Sequence, residues 1–193
     1  MTAVPVNRYA VFFAIAVAGC AIDLVTKTRL FAWLGMPGEK PSYWLWDGVF
    51  GFTTSLNEGA LFGIGQGQVA LFVLLSLVAA GGIVVWLFWT GAAHDWLLTI
   101  ALGCVMSGIF GNLYDRLGFP GLKWNFPNQL HRVGDPVYAV RDWLHFKVDP
   151  IGLNWPIFNI ADSMLVCGAA LLVWHALRAE TPVAAQKAEK SAV

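Results

Sequence analysis

Long apolar runs alternate with polar, aromatic-rich segments along the chain. An α-helix needs about 20 mostly apolar residues to cross the hydrocarbon core of a bilayer. Four runs approach that length: Tyr9–Val25, Val69–Trp89, Trp96–Tyr114 and Ile157–Leu177. The middle two contain no charged residue, and the outer two contain one acid each, Asp23 and Asp162. The pattern predicts an all-α membrane protein with four transmembrane helices.

The connections between the runs differ greatly in length. Thr90–Asp95 is a short turn, whereas Thr26–Gln68 and Asp115–Pro156 are long and rich in aromatic residues. Four crossings place both termini on one side of the membrane and both long connections on the other. Phe and Thr alternate in Gly48–Ser55 as in a strand, and Trp and Tyr suit the headgroup zone. We therefore expect two long, partly β-structured loops at the membrane surface and a polar, solvated tail at 178–193.

Composition narrows the class of protein further. Of the 193 residues, 58% are hydrophobic and only 12% are charged, whereas a soluble domain is about 25% charged. The formal net charge is zero, which excludes the basic surface that a nucleic-acid-binding protein needs. We expect one integral membrane domain over residues 1–193 and no nucleic-acid partner.

The distribution of Lys and Arg does not settle the orientation of the helices. Four basic residues lie on the terminal side: Arg8, Arg178, Lys187 and Lys190. Eight lie on the side of the long loops: Lys27, Arg29, Lys40, Arg116, Lys123, Arg132, Arg141 and Lys147. The positive-inside rule, applied literally, places the long loops in the cytoplasm. Several of these loop cations are next to acids and can serve a site instead, so the charge pattern leaves the orientation open.

Three acids, Asp23, Asp115 and Asp162, lie in or beside the predicted spans. A carboxylate inside a membrane helix costs about 2.5–3.5 kcal/mol on insertion scales, so such residues usually have a function. The direction of each crossing places all three near the same membrane face. Asp162 is five residues beyond Ile157, which is about 7–8 Å along a helix. This common depth predicts a site at that face.

Two of the acids belong to the same short pattern, Asn-x-x-Asp, at Asn112–Asp115 and Asn159–Asp162. Residues three apart share a helix face, so we expect each Asn to lie beside its Asp and to donate a hydrogen bond to it. On antiparallel helices the two carboxyls would meet and share a proton, as in the aspartic proteases. The alternative is that these acids only stabilise helix packing.

Other residues near the acids suggest supporting roles. Asp23 and Lys27 are four apart, which suits an ion pair that is structural or positions a substrate. Gly103, Gly108 and Gly111 permit close approach of the third helix to its neighbours.

Other chemistries find little support in the sequence. The four His residues form no H-E-x-x-H motif, and the three Cys residues form no C-x-x-C motif. We therefore expect neither a metal nor a cofactor. One alternative function is a small proton- or cation-coupled transporter that uses Asp23, Asp115 and Asp162 as a relay. Another is a non-enzymatic lipid-binding or assembly subunit.

Four segments together resemble the successive motifs of the lipoprotein signal peptidase (signal peptidase II) family. They are Asp23-x-x-x-Lys27, Asn57-Glu-Gly-Ala-Leu-Phe62-Gly63, Gly111-Asn112-Leu-Tyr-Asp115-Arg116 and Phe158-Asn159-Ile-Ala161-Asp162-Ser163. They occur in the family's order. The resemblance implies an aspartic endopeptidase that removes signal peptides from diacylglyceryl-modified prolipoproteins by cutting before the lipidated lipobox cysteine.

The resemblance also implies roles for individual residues. Asp115 and Asp162 match the family's catalytic pair. The positions expected to bind substrate or support the site are Asp23, Lys27, Asn57, Gly59, Asn112, Arg116, Asn159 and Ala161. The family implies a protein of the bacterial inner (cytoplasmic) membrane with cytoplasmic termini and the active site at the periplasmic face. We expect a monomer surrounded by lipid.

The chain departs from the family pattern at two places. Ser107 stands where the family usually has a glycine. The interval from Asp115 to Asp162 is longer than usual, with extra aromatic and basic residues in Pro120–Val148. Within it, Val140-Arg141-Asp142-Trp143 matches a family segment of the Val-Val-Asp-Phe type.

Aromatic residues of the first long loop suggest a cover for the site. We expect Trp44, Trp46, Phe50 and Phe62 to close over a bound peptide and exclude water. We expect Asn57 to bond the substrate backbone.

Overall fold

The computed structural model describes residues 3–59 and 64–191, and it describes no side chains beyond Arg178. The helices are α1 (Val6–Leu34), α2 (Val69–Val84, continued by a π-helical turn at Val85–Trp89), α3 (Trp96–Arg116) and α4 (Ile160–Ser191). The strands are β1 (Tyr43–Trp46), β2 (Phe50–Asn57), β3 (Val140–Val148) and β4 (Leu153–Asn154). Short 3₁₀ turns occupy Ala92–His94 and Asp149–Ile151.

Within the described ranges, four helices are long and apolar enough to cross a membrane. The predicted fold class is therefore confirmed. The first helix is longer than expected, because it continues past Val25 to Leu34. Its 29 residues extend about 43 Å at 1.5 Å per residue, which exceeds a hydrocarbon core of about 30 Å. Asp23 consequently lies inside α1 and not at its end.

The backbone of the predicted tail does not leave the helix at residue 178. It continues α4 to Ser191.

The two long loops come together in one antiparallel sheet with the order β1-β2-β3-β4. Phe52 pairs with Leu144, and Asn57 pairs with Val140. The strand predicted at Gly48–Ser55 corresponds to β2. Because the end of β2 lies beside the start of β3, Asn57 is near Asp142.

The central helix of the bundle is α3, which packs between α1 and α4. Glycine makes this approach close, as expected from the sequence. A Cβ atom on Gly108 would lie 2.5 Å from the carbonyl oxygen of Ala161, and one on Gly111 would lie 2.6 Å from Oδ2 of Asp23. A Cβ on Gly19 would collide with Ser107, so this Ser packs tightly against α1. These contacts draw the three acid-bearing helices together.

The chain between α3 and β3, residues 117–139, folds on a small apolar core of its own. Trp124, Val137 and Ala139 are buried in it, and Met36 and Leu56 pack against them. We refer to residues 117–139 as the insertion. Its core joins it to the C-terminal side of α1 and to β2, so it lies beside the sheet.

Candidate active site

A network of four buried charges joins α1, α3 and β3. Nζ of Lys27 lies 2.7 Å from Oδ2 of Asp23 and 3.0 Å from Oδ2 of Asp115. Nη2 of Arg141 lies 2.9 Å from Oδ1 of Asp115. Arg141 is 4% exposed and the other three are fully buried. The ion pair predicted between Asp23 and Lys27 is confirmed, and the network contains two cations and two anions.

Asp115 lies in an environment that differs from the one expected. Oδ1 accepts a hydrogen bond of 2.9 Å from Nε of Arg141, and Oδ2 accepts one of 3.0 Å from the backbone N–H of Arg141. Nη2 of Arg141 and Nζ of Lys27 are ion-pair partners of the same carboxylate. Two cations and a backbone N–H therefore surround this carboxyl. These contacts disfavour the hypothesis that Asp115 pairs with Asp162.

Asp23 ties α1 to α4 as well as to Lys27. Its Oδ1 accepts a hydrogen bond of 2.9 Å from the backbone N–H of Ala161. That N–H belongs to the first turn of α4, where helix donors have no partner within the helix. Asp23 and Ala161 therefore fix the start of α4 against α1.

Asn159 and Asp162 form a capping box at the start of α4. The backbone N–H of Asp162 donates to Oδ1 of Asn159 at 2.9 Å, and the backbone N–H of Asn159 donates to Oδ2 of Asp162 at 3.2 Å. This reciprocal pattern satisfies two of the unpaired donors of a helix N-terminus. The predicted contact between the two residues exists, but the backbone of Asn159 makes it, which leaves its side-chain NH₂ group for other partners.

Asn112 bonds to the acid of the other helix. Its Nδ2 donates to Oδ1 of Asp162 at 2.8 Å, so the expectation that Asn112 donates to Asp115 is wrong. Its Oδ1 accepts from Nζ of Lys27 and from Nδ2 of Asn159, each at 3.1 Å. Because a lysine ammonium can only donate, Lys27 sets the orientation of this amide and directs its NH₂ group to Asp162.

Asp142 is the acid that the sequence analysis did not single out as a site residue. It is 2% exposed, and its Oδ1 accepts a hydrogen bond of 2.6 Å from Nδ2 of Asn159. Burial and then the neighbouring Asp162 carboxylate raise the pKa of Asp142 well above its ordinary value, against the opposing effects of Lys27, Asn159 and Asn57. The two carboxyls that interact are therefore Asp142 and Asp162. The match of residues 140–143 to a family segment was the signal that pointed to Asp142.

Asp162 opens onto a cleft of about 300 Å³. Its described hydrogen bonds come from two donors, the Asn112 side chain and the Asn159 backbone, so two lone-pair positions remain for a water molecule. The lining is polar on one side and apolar on the other: Asn57, Gly59, Asn112, Arg116, Val140, Pro156, Ile157, Phe158, Asp162, Leu165 and Val166. An extended peptide with apolar side chains suits such a cleft.

The rim of the cleft is formed by the segment that follows β2. Nη2 of Arg116 donates to the carbonyl oxygen of Gly59 at 2.9 Å, and the N–H of Gly59 donates to Oδ1 of Asn57 at 3.0 Å. Arg116 also lies over the ring of Phe72, 5.0 Å from its centroid. Asn57, Gly59 and Arg116 therefore meet at one edge of the cleft.

The insertion contacts the same rim from outside. Nδ2 of Asn128 donates to Oε2 of Glu58 at 3.4 Å, and Nε2 of His131 lies 3.8 Å from that oxygen. The His131 ring stacks on Trp124 with centroids 3.5 Å apart. The insertion thus contacts Glu58, which lies between Asn57 and Gly59.

Trp44, Trp46 and Phe50, which are expected to cover the site, lie on the sheet. Phe50 stacks on Phe146 at 4.5 Å, Trp44 packs against His145 at 5.2 Å, and Trp46 is 68% exposed. Phe62 lies outside the described residues. Closure over a peptide stays a prediction.

The described side chains offer no metal-binding group of three or more His, Cys, Asp or Glu residues. Among the described residues that line the cleft the acid is Asp162, and the buried Asp142 is linked to it through Asn159.

Comparisons with known proteins agree on one family. Residues 15–178 match the family described as Signal peptidase (SPase) II. A "Lipoprotein signal peptidase" of Rhodopirellula baltica is 48% identical over 174 residues, covering 89% of this chain and 73% of the relative. One of a Synechocystis strain is 30% identical, covering 92% of each chain. A solved structure of a bacterial membrane enzyme has a TM-score of 0.68 and 25% identity, covering 86% of this chain and 87% of that one.

Proposed function

Because the chain belongs to the signal peptidase II family, we propose that it is a membrane protease that removes signal peptides from prolipoproteins. It cuts before the lipobox cysteine once that cysteine carries a diacylglyceryl group. The position of the cleft supports this substrate. Apolar residues of α4 such as Leu165 and Val166 line it beside the polar groups, and Val166 is 69% exposed, so a lipid-anchored peptide has access from the bilayer.

We propose that Asp142 and Asp162 are the catalytic pair and that the enzyme is an aspartic endopeptidase. The observation that carries this assignment is the contact of both acids with Asn159, together with the raised pKa of Asp142. Asp142, whose pKa is raised, is the acid that carries the proton. Asp162 takes a proton from a water molecule while Asp142 donates a hydrogen bond to the scissile carbonyl.

The remaining residues hold this pair in place. Asp23, Lys27 and Ala161 fix α1 and α4 to each other, and Asn112 and Asn159 orient the two carboxyls. Asn57, Gly59 and Arg116 form the rim along which the peptide backbone would bind. Asp115, matched in the sequence to the catalytic pair, anchors β3 through Arg141 instead.

We propose the orientation that the family implies, with cytoplasmic termini and the cleft at the periplasmic face of the bacterial inner membrane. We also propose that the chain acts as one membrane domain and as a monomer surrounded by lipid. The transporter alternative requires acids that step through the membrane midplane, whereas here the acids gather around the start of α4.

The experiment is cleavage of two lipobox peptides, one diacylglyceryl-modified and one unmodified, by the purified protein in detergent. We expect cleavage of the modified peptide only, and its loss in Asp142→Asn and in Asp162→Asn. Asp149→Asn is the matched control, because Asp149 is an exposed acid of the same loop, paired with Lys147. Equal cleavage of both peptides would contradict the proposed substrate, and activity in Asp162→Asn would contradict the proposed mechanism.

A further inference from the structure

Arg141 is a buried cation immediately before Asp142. It donates hydrogen bonds to Asp115 through Nε and its backbone N–H, and its Nη2 lies 2.9 Å from Oδ1 of Asp115 as an ion-pair contact. Nη1 reaches Oγ1 of Thr28 at 3.4 Å. The side chain therefore joins β3 to α3 and α1 at the residue beside the proposed catalytic acid.

The charge of Arg141 balances the network around Asp115. Lys27 lies between Asp23 and Asp115 and can compensate only one of them. With Arg141, two cations face two anions. Without it, the buried network would carry one uncompensated negative charge, which contacts link to Asp162 through Lys27 and Asn112. The cations that face the Asp142–Asp162 pair are Lys27 of α1 and Arg116 of α3. An additional negative charge disfavours ionisation of nearby carboxyls.

The backbone contact of Arg141 adds a geometric effect. Its N–H is held by Asp115 of α3, and the next Cα along the chain, that of Asp142, is about 3.8 Å away. Asp142 is therefore held toward Asn159 by an anchor one residue away. A main-chain donor remains in every side-chain variant of Arg141, so geometry and charge can be separated by mutation.

We propose that Arg141 is a positioning residue that sets the pH range in which the Asp142–Asp162 pair holds one proton, because its guanidinium compensates the charge of Asp115. This inference rests on the proposed function of the pair. It concerns a residue that the family segment of the Val-Val-Asp-Phe type does not contain.

The test is the pH dependence of kcat and KM for the diacylglyceryl-modified peptide. Arg141→Gln removes the charge and leaves Asp115 uncompensated. We expect the acid limb of the kcat profile to move to higher pH by about one unit, since an additional negative charge disfavours ionisation of nearby carboxyls. Arg141→Lys keeps the charge, and its profile should stay close to that of the wild type. Arg132→Gln, at an exposed position of the insertion, controls for the loss of an arginine.

A double variant keeps the test valid if Arg141→Gln folds poorly. Asp115→Asn combined with Arg141→Gln removes one anion and one cation, so the network is neutral again and the wild-type profile should return. An unchanged profile in Arg141→Gln, or a shifted profile that the double variant does not restore, would overturn the inference. Failure of the proposed function is distinguishable, because then the wild type would not cleave the peptide or Asp142→Asn would still do so.

Discussion

Replacing Asp142 and Asp115 by Asn separates the proposed catalytic acid from the proposed anchor. Asp142→Asn mimics the protonated acid in shape, and its amide oxygen can still accept from Asn159. We expect an inactive, fully folded protein. Asp115→Asn leaves Lys27 and Arg141 buried without their shared anion. Breaking a buried ion pair by removal of one partner costs about 3–5 kcal/mol, so we expect this variant to be strongly destabilised.

The pH dependence of the unfolding free energy also distinguishes Asp142→Asn from the wild type. The folded-state pKa of Asp142 is raised above an unfolded value of about 3.9 by burial and by Asp162. Between the two pKa values the folded state binds more protons than the unfolded state, so wild-type stability falls as pH rises. The slope is about 1.4 kcal/mol per pH unit. An Asn at this position does not titrate, so the advantage in stability of Asp142→Asn over the wild type should grow from pH 4 upward.

Two assays on the same detergent-purified samples check this prediction. Thermal unfolding between pH 4 and pH 8 gives the stability difference, and cleavage of the modified lipobox peptide gives the activity. Asp149→Asn serves again as the control acid at the surface. An Asp115→Asn variant that is stable but inactive, beside an active Asp142→Asn variant, would return the catalytic role to Asp115 and refute the reasoning.

Two further predictions concern packing and orientation. Gly111→Ala should lower the free energy of unfolding by about 1–3 kcal/mol, as measured by thermal unfolding. Its Cβ would lie 2.6 Å from Oδ2 of Asp23 and 2.9 Å from Cβ of Ala161. Gly82→Ala should leave the stability unchanged, because a Cβ there meets open space. Equal stability of these two alanine variants would contradict the close packing of α3. A cysteine at Asp149 should react with a membrane-impermeant thiol reagent on intact spheroplasts, and one at Ser191 only after permeabilisation. The reverse pattern would invert the proposed orientation.

The helices could be predicted from the sequence because each one is a long apolar run, and the family could be predicted because several motifs occur together. Each predicted span continues for about 20 apolar residues, and four motifs occur in the family's order. The ion pair of Asp23 with Lys27 was predictable for a similar reason, because both residues belong to one helix and their spacing alone brings them together.

The partners of the two Asn-x-x-Asp units were not predictable from their spacing. Asn112 and Asp115 lie within α3, whereas Asn159 precedes α4 and forms a capping box with Asp162. The same four-residue pattern therefore has two geometries, and the start of α4 decides between them. Asp142 could not be identified as a site residue from the sequence pattern. Its contact with Asn159 joins a strand to the start of a helix, and the spacing of residues along the chain does not predict such a contact.

The network around Asp115 has a consequence for how the protein is made. Asp23 and Lys27 belong to α1 and can neutralise each other as soon as that helix leaves the ribosome. Asp115 depends on a guanidinium that is synthesised 26 residues later. A nascent chain that ends within the insertion therefore carries an acid of α3 whose guanidinium partner in β3 has not yet been made. The network of buried charges is complete only when β3 has been translated.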